Sequence, residues 1–306
     1  MPHAGTDYRP PTAASMLETQ NQPRSLQLLL AQRRMYSLAK LWQTIRWWGV
    51  MLIGVSAPVL AVFLPASATI VGAVAGLWLF VGRSLLAWAE NAQMSRAAAV
   101  QEAFDQAVFA MPRSISRSAL PSPEDIVRVA GTGARLTMAA RQEKLLDWYP
   151  IDPANSGIRA VAIAQRANAA YSDRLLRATV TMWIVVAGAW SLIVVVASLI
   201  VHMDLATFLL GVFLPVLPAA LDAFEYMRNI ARAARDRADL ARSIASRLAP
   251  GETVEPYELL VWQERLYDLR RTAPQVPNWL YRMLRNRNEQ AMHAVADQLS
   301  GSRQEP

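Results

Sequence analysis

Four uncharged apolar runs dominate this chain and leave few architectures open to it. They occupy residues 47–64, 66–82, 180–201 and 205–221. Each is roughly 17 to 22 residues long, which at about 1.5 Å per residue reaches about 25 to 33 Å, the thickness of a hydrocarbon core. Pro65 separates the first two runs, and His202, Met203 and Asp204 separate the second two. No water satisfies the backbone inside a bilayer, so such runs read as helices and each close pair as a helical hairpin. A composition that is 53% hydrophobic and 18% charged over 306 residues agrees, being too apolar for an ordinary soluble domain.

The flanks orient the spans. The two short turns hold no Lys or Arg, whereas Arg33, Arg34, Lys40, Arg46, Arg83, Arg174, Arg177, Arg228 and Arg232 crowd the opposite ends. Such ends stay cytoplasmic, so both termini and the central segment are expected there. The chain divides into a flexible leader (1–24), an amphipathic juxtamembrane helix (25–46), a first transmembrane hairpin (47–82), a central cytoplasmic helical region (83–179), a second hairpin (180–221) and a C-terminal cytoplasmic helical region (222–306).

Within 25–46, Leu28, Ala31, Met35, Leu38, Trp42 and Ile45 recur at steps of three and four, a face that lies on the membrane or packs on the cytoplasmic body. Residues 83–111 contain no Gly or Pro, so the second span is expected to run on as a helix to Pro112, with Phe104, Val108 and Met111 as its apolar stripe. After a serine- and proline-rich link, Ser122-Pro123-Glu124-Asp125 opens a helix that Gly131 ends. Further helices are expected over 134–147, from 158 into the third span, from the fourth span to Leu248, and over 256–271 and 277–298. No period-two pattern occurs. The expected class is an all-α integral membrane protein, its four transmembrane helices forming two hairpins with long helical cytoplasmic extensions.

The chemistry of the sequence excludes more than it offers. There is no cysteine, and His3, His202 and His293 lie too far apart for a metal-ligand spacing. No phosphate loop, nucleophile grouping or carboxylate pair in a pocket context is found, so neither a cofactor, a metal nor enzymatic activity is expected. The spans lack the mid-bilayer acids and bases of ion-coupled carriers, and Asp222 sits at a span end. The net charge of +7 suits a nucleic acid, an anionic ligand or a membrane face, and in a membrane protein the last is the default.

Three groupings carry alternatives. Ala68, Gly72 and Gly76 share one face of the second span, suited to an oligomer seam or to packing within one chain. Pro215 and Pro218 free backbone carbonyls in the fourth span, which fits a bendable pore helix as well as an ordinary kink. Arg166, Arg174 and Arg177 share a broad helical face near Tyr171, able to pair with phosphates and stack on a base, although Arg174 and Arg177 serve equally as membrane anchors. Trp148 and Tyr149 beside Pro150 either wall a pocket or pack in a core.

Beyond these physical readings, several stretches resemble a known family. Gln20-Asn21 followed by Leu30-Ala31-Gln32-Arg33-Arg34-Met35-Tyr36-Ser37-Leu38-Ala39-Lys40 is similar to the N-terminal signature of the SMODS-associating four-transmembrane effectors of bacterial CBASS anti-phage systems. Four pieces follow in order: Glu102-Ala103-Phe104-Asp105-Gln106-Ala107-Val108-Phe109; Asp147-Trp148-Tyr149-Pro150; Gln165-Arg166-Ala167-Asn168 with Asp173; and Val276-Pro277 with Tyr281-Arg282-Met283-Leu284-Arg285. An aromatic-rich stretch of the family is here Ala169-Ala170-Tyr171-Ser172, which leaves stacking to Tyr171. The resemblance implies a homo-oligomeric effector in the bacterial inner membrane. A cyclic oligonucleotide from a cGAS-like nucleotidyltransferase would be its activating ligand, with no DNA or RNA duplex as partner, and membrane disruption would end an abortive infection. A membrane-anchored scaffold or sensor that recruits a soluble partner without forming a pore is the alternative.

Overall fold

The computed structural model describes residues 8–63, 68–112 and 119–301. The turn at Pro65, the link through Ser118 and the first residues of the leader lie outside these. Every regular element among the described residues is helical. In chain order they are α1 (Ala13–Gln20), α2 (Pro23–Phe63), α3 (Ala68–Val81), a π-helical turn (Gly82–Leu86), α4 (Ala87–Val108), α5 (Pro123–Ala130), α6 (Gly133–Gln142), α7 (Gly157–Ile200), α8 (Leu205–Thr207), a second π-helical turn (Phe208–Phe213), α9 (Leu214–Arg247), α10 (Pro256–Thr272) and α11 (Asn278–Gly301).

Length separates two zones. The 41 residues of α2 and 44 of α7 give rods of about 60 and 65 Å, twice what a hydrocarbon core needs. One half of each rod exposes Trp48 and Leu52, or Ile184, Leu192, Ile193 and Leu199, as a lipid-facing surface would. Among the described residues, Thr69–Val108 and Gly157–Ile200 are long and apolar enough to cross a membrane, and the pair Leu205–Phe213 and Val216–Arg247, bent by 60°, makes a third if the two helices are one broken span. Residues 47–63 form the apolar half of α2. The bend coincides with the π-helical turn and with Pro215 and Pro218, which offer no N–H to the preceding turn.

The other halves build a helical body. α7 is its axis: Arg159, Ala160, Val161, Ala162, Ile163, Ala164 and Gln165 are all buried, and three alanines in that run let neighbouring helices close on every side. Leu29 and Leu30 of α2, Phe104 of α4, Ile244 of α9 and Leu259 and Leu266 of α10 complete the core.

Several expectations change. The leader is packed from Tyr8 onward: its hydroxyl donates to the Phe109 carbonyl (2.7 Å), Met16 and Gln20 are fully buried, and the chain passes so close to α7 that a Cβ on Gly157 would overlap the Pro11 carbonyl. The juxtamembrane helix and first span are one helix; Leu28, Ala31 and Met35 pack on the body while Leu38 and Ile45 stay exposed. The helix expected over 134–147 ends at Gln142, because Lys144 and Asp147 take positive φ. The uninterrupted helix expected after the second span contains the Gly82–Leu86 π-turn, from which Arg83 reaches Asp222 of α9 with Nε 2.7 Å from Oδ1. Within the described residues, nothing lies within 4 Å of a Cβ built on Gly72 or Gly76.

Candidate functional site

A cavity of about 480 Å³ opens in the body where α2, α7 and α11 converge. Helical periodicity assembles its wall: Arg33, Tyr36, Ser37 and Lys40 form one face of α2, Asn168, Tyr171, Ser172 and Leu175 one face of α7, and Asn278, Tyr281, Arg285 and Glu289 one face of α11. Gln101 of α4, Arg237 of α9, Arg270 of α10 and the loops carrying Lys144 to Tyr149 and Ala273 to Val276 complete it. Arg33, Lys40, Lys144, Arg237, Arg270 and Arg285 face only Asp147 and Glu289 as acids in the lining, so the lining itself is basic.

The loop from Asp147 to Tyr149 is clamped by the leader. The Asn21 amide donates to Asp147 Oδ1 (2.8 Å), and the Tyr149 N–H donates to Gln20 Oε1 (2.9 Å). Tyr149 then turns inward, its hydroxyl donating to Asp105 Oδ1 at 2.7 Å. Asp105 is the hub of a buried network: Gln263 Nε2 donates to its Oδ2 (2.9 Å) and to Glu102 Oε2 (2.7 Å), and Arg270 Nη1 lies 2.6 Å from Asp105 Oδ2. Burial and the Asp105 charge raise the Tyr149 pKa, keeping the phenol a donor. Burial acts to lower the Arg270 pKa, yet Asp105, Tyr149 and Glu102 hold it above its ordinary value.

Toward the mouth, three cations surround the Tyr281 ring: Arg33 at 5.6 Å, Lys40 at 5.8 Å and Arg285 at 5.8 Å from its centre. Tyr171 meets the same ring edge-on at 6.4 Å. Arg33 pairs with Glu143 (2.9 Å), and Arg285 donates to the Glu143 and Lys144 carbonyls, so α11 is tied across the mouth. Burial, aided by Arg33, lowers Lys40 to about 8, while its Nζ donates to Asn278 Oδ1 at 2.8 Å.

Trp148, Tyr149 and Tyr171 line the cavity, with the Tyr149 hydroxyl committed to the buried network. Arg166, Arg174 and Arg177 do not: Arg166 is half-buried beside the body, Arg174 is exposed, and Arg177 pairs with Asp173 at 2.7 Å. The helical face that carries these arginines is rotated away from the one that carries Asn168 and Tyr171. Arg33, Lys40, Arg237, Arg270, Tyr281 and Arg285 were not legible as a site. Arg33 and Lys40 read as membrane anchors, and only the three- and four-residue spacing on α2 and α11 hinted at a shared face.

A neck joins the cavity to the apolar halves of the helices. Tyr226 of α9 accepts from Gln43 Nε2 (2.7 Å) and donates to the carbonyl of the cavity residue Gln275 (3.4 Å). Trp47 lies 4.6 Å from Trp183 and 4.9 Å from Tyr226, ring centre to ring centre.

Fold and cavity together define an all-helical membrane protein with a basic, aromatic cavity in its helical body. Residues 14–299 match the SMODS-associating 4TM effector domain, and the chain belongs to that family. It is also 22% identical over 290 residues, covering 90% of this chain and 95% of the relative, to a probable CBASS effector molecule of Bacillus cereus (strain VD146). No solved structure matches it. Four of the five stretches that carry the family resemblance reach the cavity: the first supplies Gln20 and Asn21 to the clamp and Arg33 to Lys40 to the wall, and others supply Trp148, Asn168 and Tyr281 with Arg285, while Asp105 of the remaining stretch lies behind the wall and holds Tyr149 and Arg270.

Proposed function

We propose that the chain is a membrane effector of a cyclic-nucleotide anti-phage system, which binds a cyclic oligonucleotide in this cavity, oligomerises and permeabilises the bacterial inner membrane to abort infection. In this reading four transmembrane helices form two hairpins with both termini cytoplasmic, so the cavity would face the side where a nucleotidyltransferase releases its product. One observation carries the reading: every helix that leads toward the membrane contributes to the cavity wall. Lys40 comes from α2, Gln101 from α4, Tyr171 from α7 and Arg237 from α9.

A ligand that spans these helices biases all of them together. Phosphates draw Arg33, Lys40 and Arg285 inward, aromatic rings offer faces for bases, and the rigid rods carry the change through the neck. Shifting a population from about 1:99 to 99:1 needs about 5.5 kcal/mol of differential binding. A few charge-assisted hydrogen bonds of about 1.5 to 3 kcal/mol each supply that. The open Gly72–Gly76 face suits contact between copies, and the bend at Pro215 suits a helix that changes shape.

Membrane potential in bacteria expressing the chain with a cyclic-nucleotide synthase tests the proposal. Potential-sensitive dye should show depolarisation with an active synthase and none with an inactivated one. Equal polarisation in both cultures would contradict the reading.

A further inference from the structure

Among the described residues, two buried side chains of the cavity wall hold hydrogen-bonding atoms without a partner, and their polarities are opposite. Arg270 is 7% exposed, and its Nε and Nη2 have no hydrogen-bond partner. Its ion pair with Asp105 runs through Nη1, so the N–H groups of two nitrogens, Nε and Nη2, remain. Gln32, 4% exposed, has no partner for Oε1, an acceptor. Leaving such groups unsatisfied is costly, more so where charge is involved. Arg270 is rigidly held by Asp105 and flanked by Arg237, whose guanidinium is spent on the Leu269 and Ala233 carbonyls. With Asp105 and Glu102 (3.6 Å) both on its Nη1 side, Arg270 still offers N–H groups to an acceptor such as a phosphate oxygen, while Gln32 offers an acceptor to an N–H.

We propose that Arg270 receives a phosphodiester at the floor of the cavity and that Gln32 reads the hydrogen-bonding edge of a base, making it the residue that determines which cyclic nucleotide is preferred. This rests on the reading that a cyclic oligonucleotide occupies the cavity. A phosphate carries acceptors and no N–H, and a base edge carries N–H donors, so the two orphaned groups together call for the two halves of a nucleotide. The division of labour predicts two kinds of loss. A phosphate contact is blind to the base, so its removal weakens all ligands alike, whereas removal of an edge contact weakens the best ligand most and erases discrimination.

The test is equilibrium binding of cyclic di-AMP, cyclic di-GMP, cyclic GMP-AMP and cyclic di-UMP to the full chain in detergent, for the parent, Gln32→Leu and Arg270→Lys. Gln32→Leu should cost the preferred ligand about tenfold or more and bring the four affinities together. Arg270→Lys, which keeps a charge for Asp105 but loses the fork, should weaken every ligand by a similar factor of about ten. If thermal unfolding shows Arg270→Lys to be misfolded, Arg270→Gln with Asp105→Asn removes both charges while keeping hydrogen bonding, and the same uniform loss is expected. An unchanged ranking in Gln32→Leu, or a base-dependent loss in the Arg270 variants, overturns this assignment and leaves the cyclic-nucleotide reading standing. Absence of binding by the parent to all four overturns both.

Discussion

Burial beside Arg33 leaves Lys40 with a pKa of about 8 against 10.5 unfolded. A buried lysine is penalised in its charged form, so below about 8 the full cost is present. Between about 8 and 10.5 the unfolded chain binds more protons than the folded one, and stability rises with pH through that window. An anion reverses the local balance by favouring the charged form. Its binding should take up a proton at about pH 9 and weaken as the pH rises above about 8. Calorimetry in buffers of different ionisation heat measures this, and Lys40→Arg should flatten the profile. Asp105→Ala strips the buried Arg270 of its closest counter-charge and should cost about 3 to 5 kcal/mol, read as a fall in thermal midpoint. Arg285→Ala should weaken cyclic-nucleotide binding about tenfold or more, while Arg166→Ala, outside the cavity, should leave it near the parent value.

Helices were legible where local chemistry dictates them. Ser122 accepts from the Asp125 N–H as a helix cap, Gly131 ends α5 at φ 82°, and the stripe of Phe104, Val108 and Met111 is buried, although α4 stops at Val108, short of Pro112, where Ala110 takes positive φ. What sequence periodicity could not show was the packed leader, since Met16 and Gln20 are buried by tertiary neighbours and not by any pattern of their own. The π-turns at Gly82–Leu86 and Phe208–Phe213 were equally hidden. Close approach between α2 and α3 also depends on one atom: a Cβ on Gly49 would collide with the Trp78 ring, whose Nε1 donates to the Arg46 carbonyl at 3.3 Å. Gly49→Leu should therefore destabilise the pair by about 1 to 3 kcal/mol. Gly72→Leu with Gly76→Leu meets open space and should spare the fold. If that face is the seam, crosslinked oligomers and toxicity should both fall, and unchanged crosslinking would place the seam elsewhere.

Across the whole molecule, membrane character was readable because four apolar runs are a one-dimensional property of the chain. The cavity was not, because its wall draws on residues as far apart as Gln32 and His293, and only folding shows that Arg33 and Tyr281 share a chamber. Arginine on a helix near a span reads as an anchor until its rotation is known, which is why Arg166, Arg174 and Arg177 were singled out and Arg270 was missed. Reporter fusions at Met203 and Ser300 should place the first in the periplasm and the second in the cytoplasm; a cytoplasmic Met203 would break the two-hairpin topology. The account stands most directly on dye release from liposomes that contain the purified chain and receive a cyclic nucleotide it binds. Release should follow occupancy of the cavity and require about tenfold more ligand for Arg285→Ala. Saturated binding without release, or release from the parent that is the same with and without nucleotide, would contradict it.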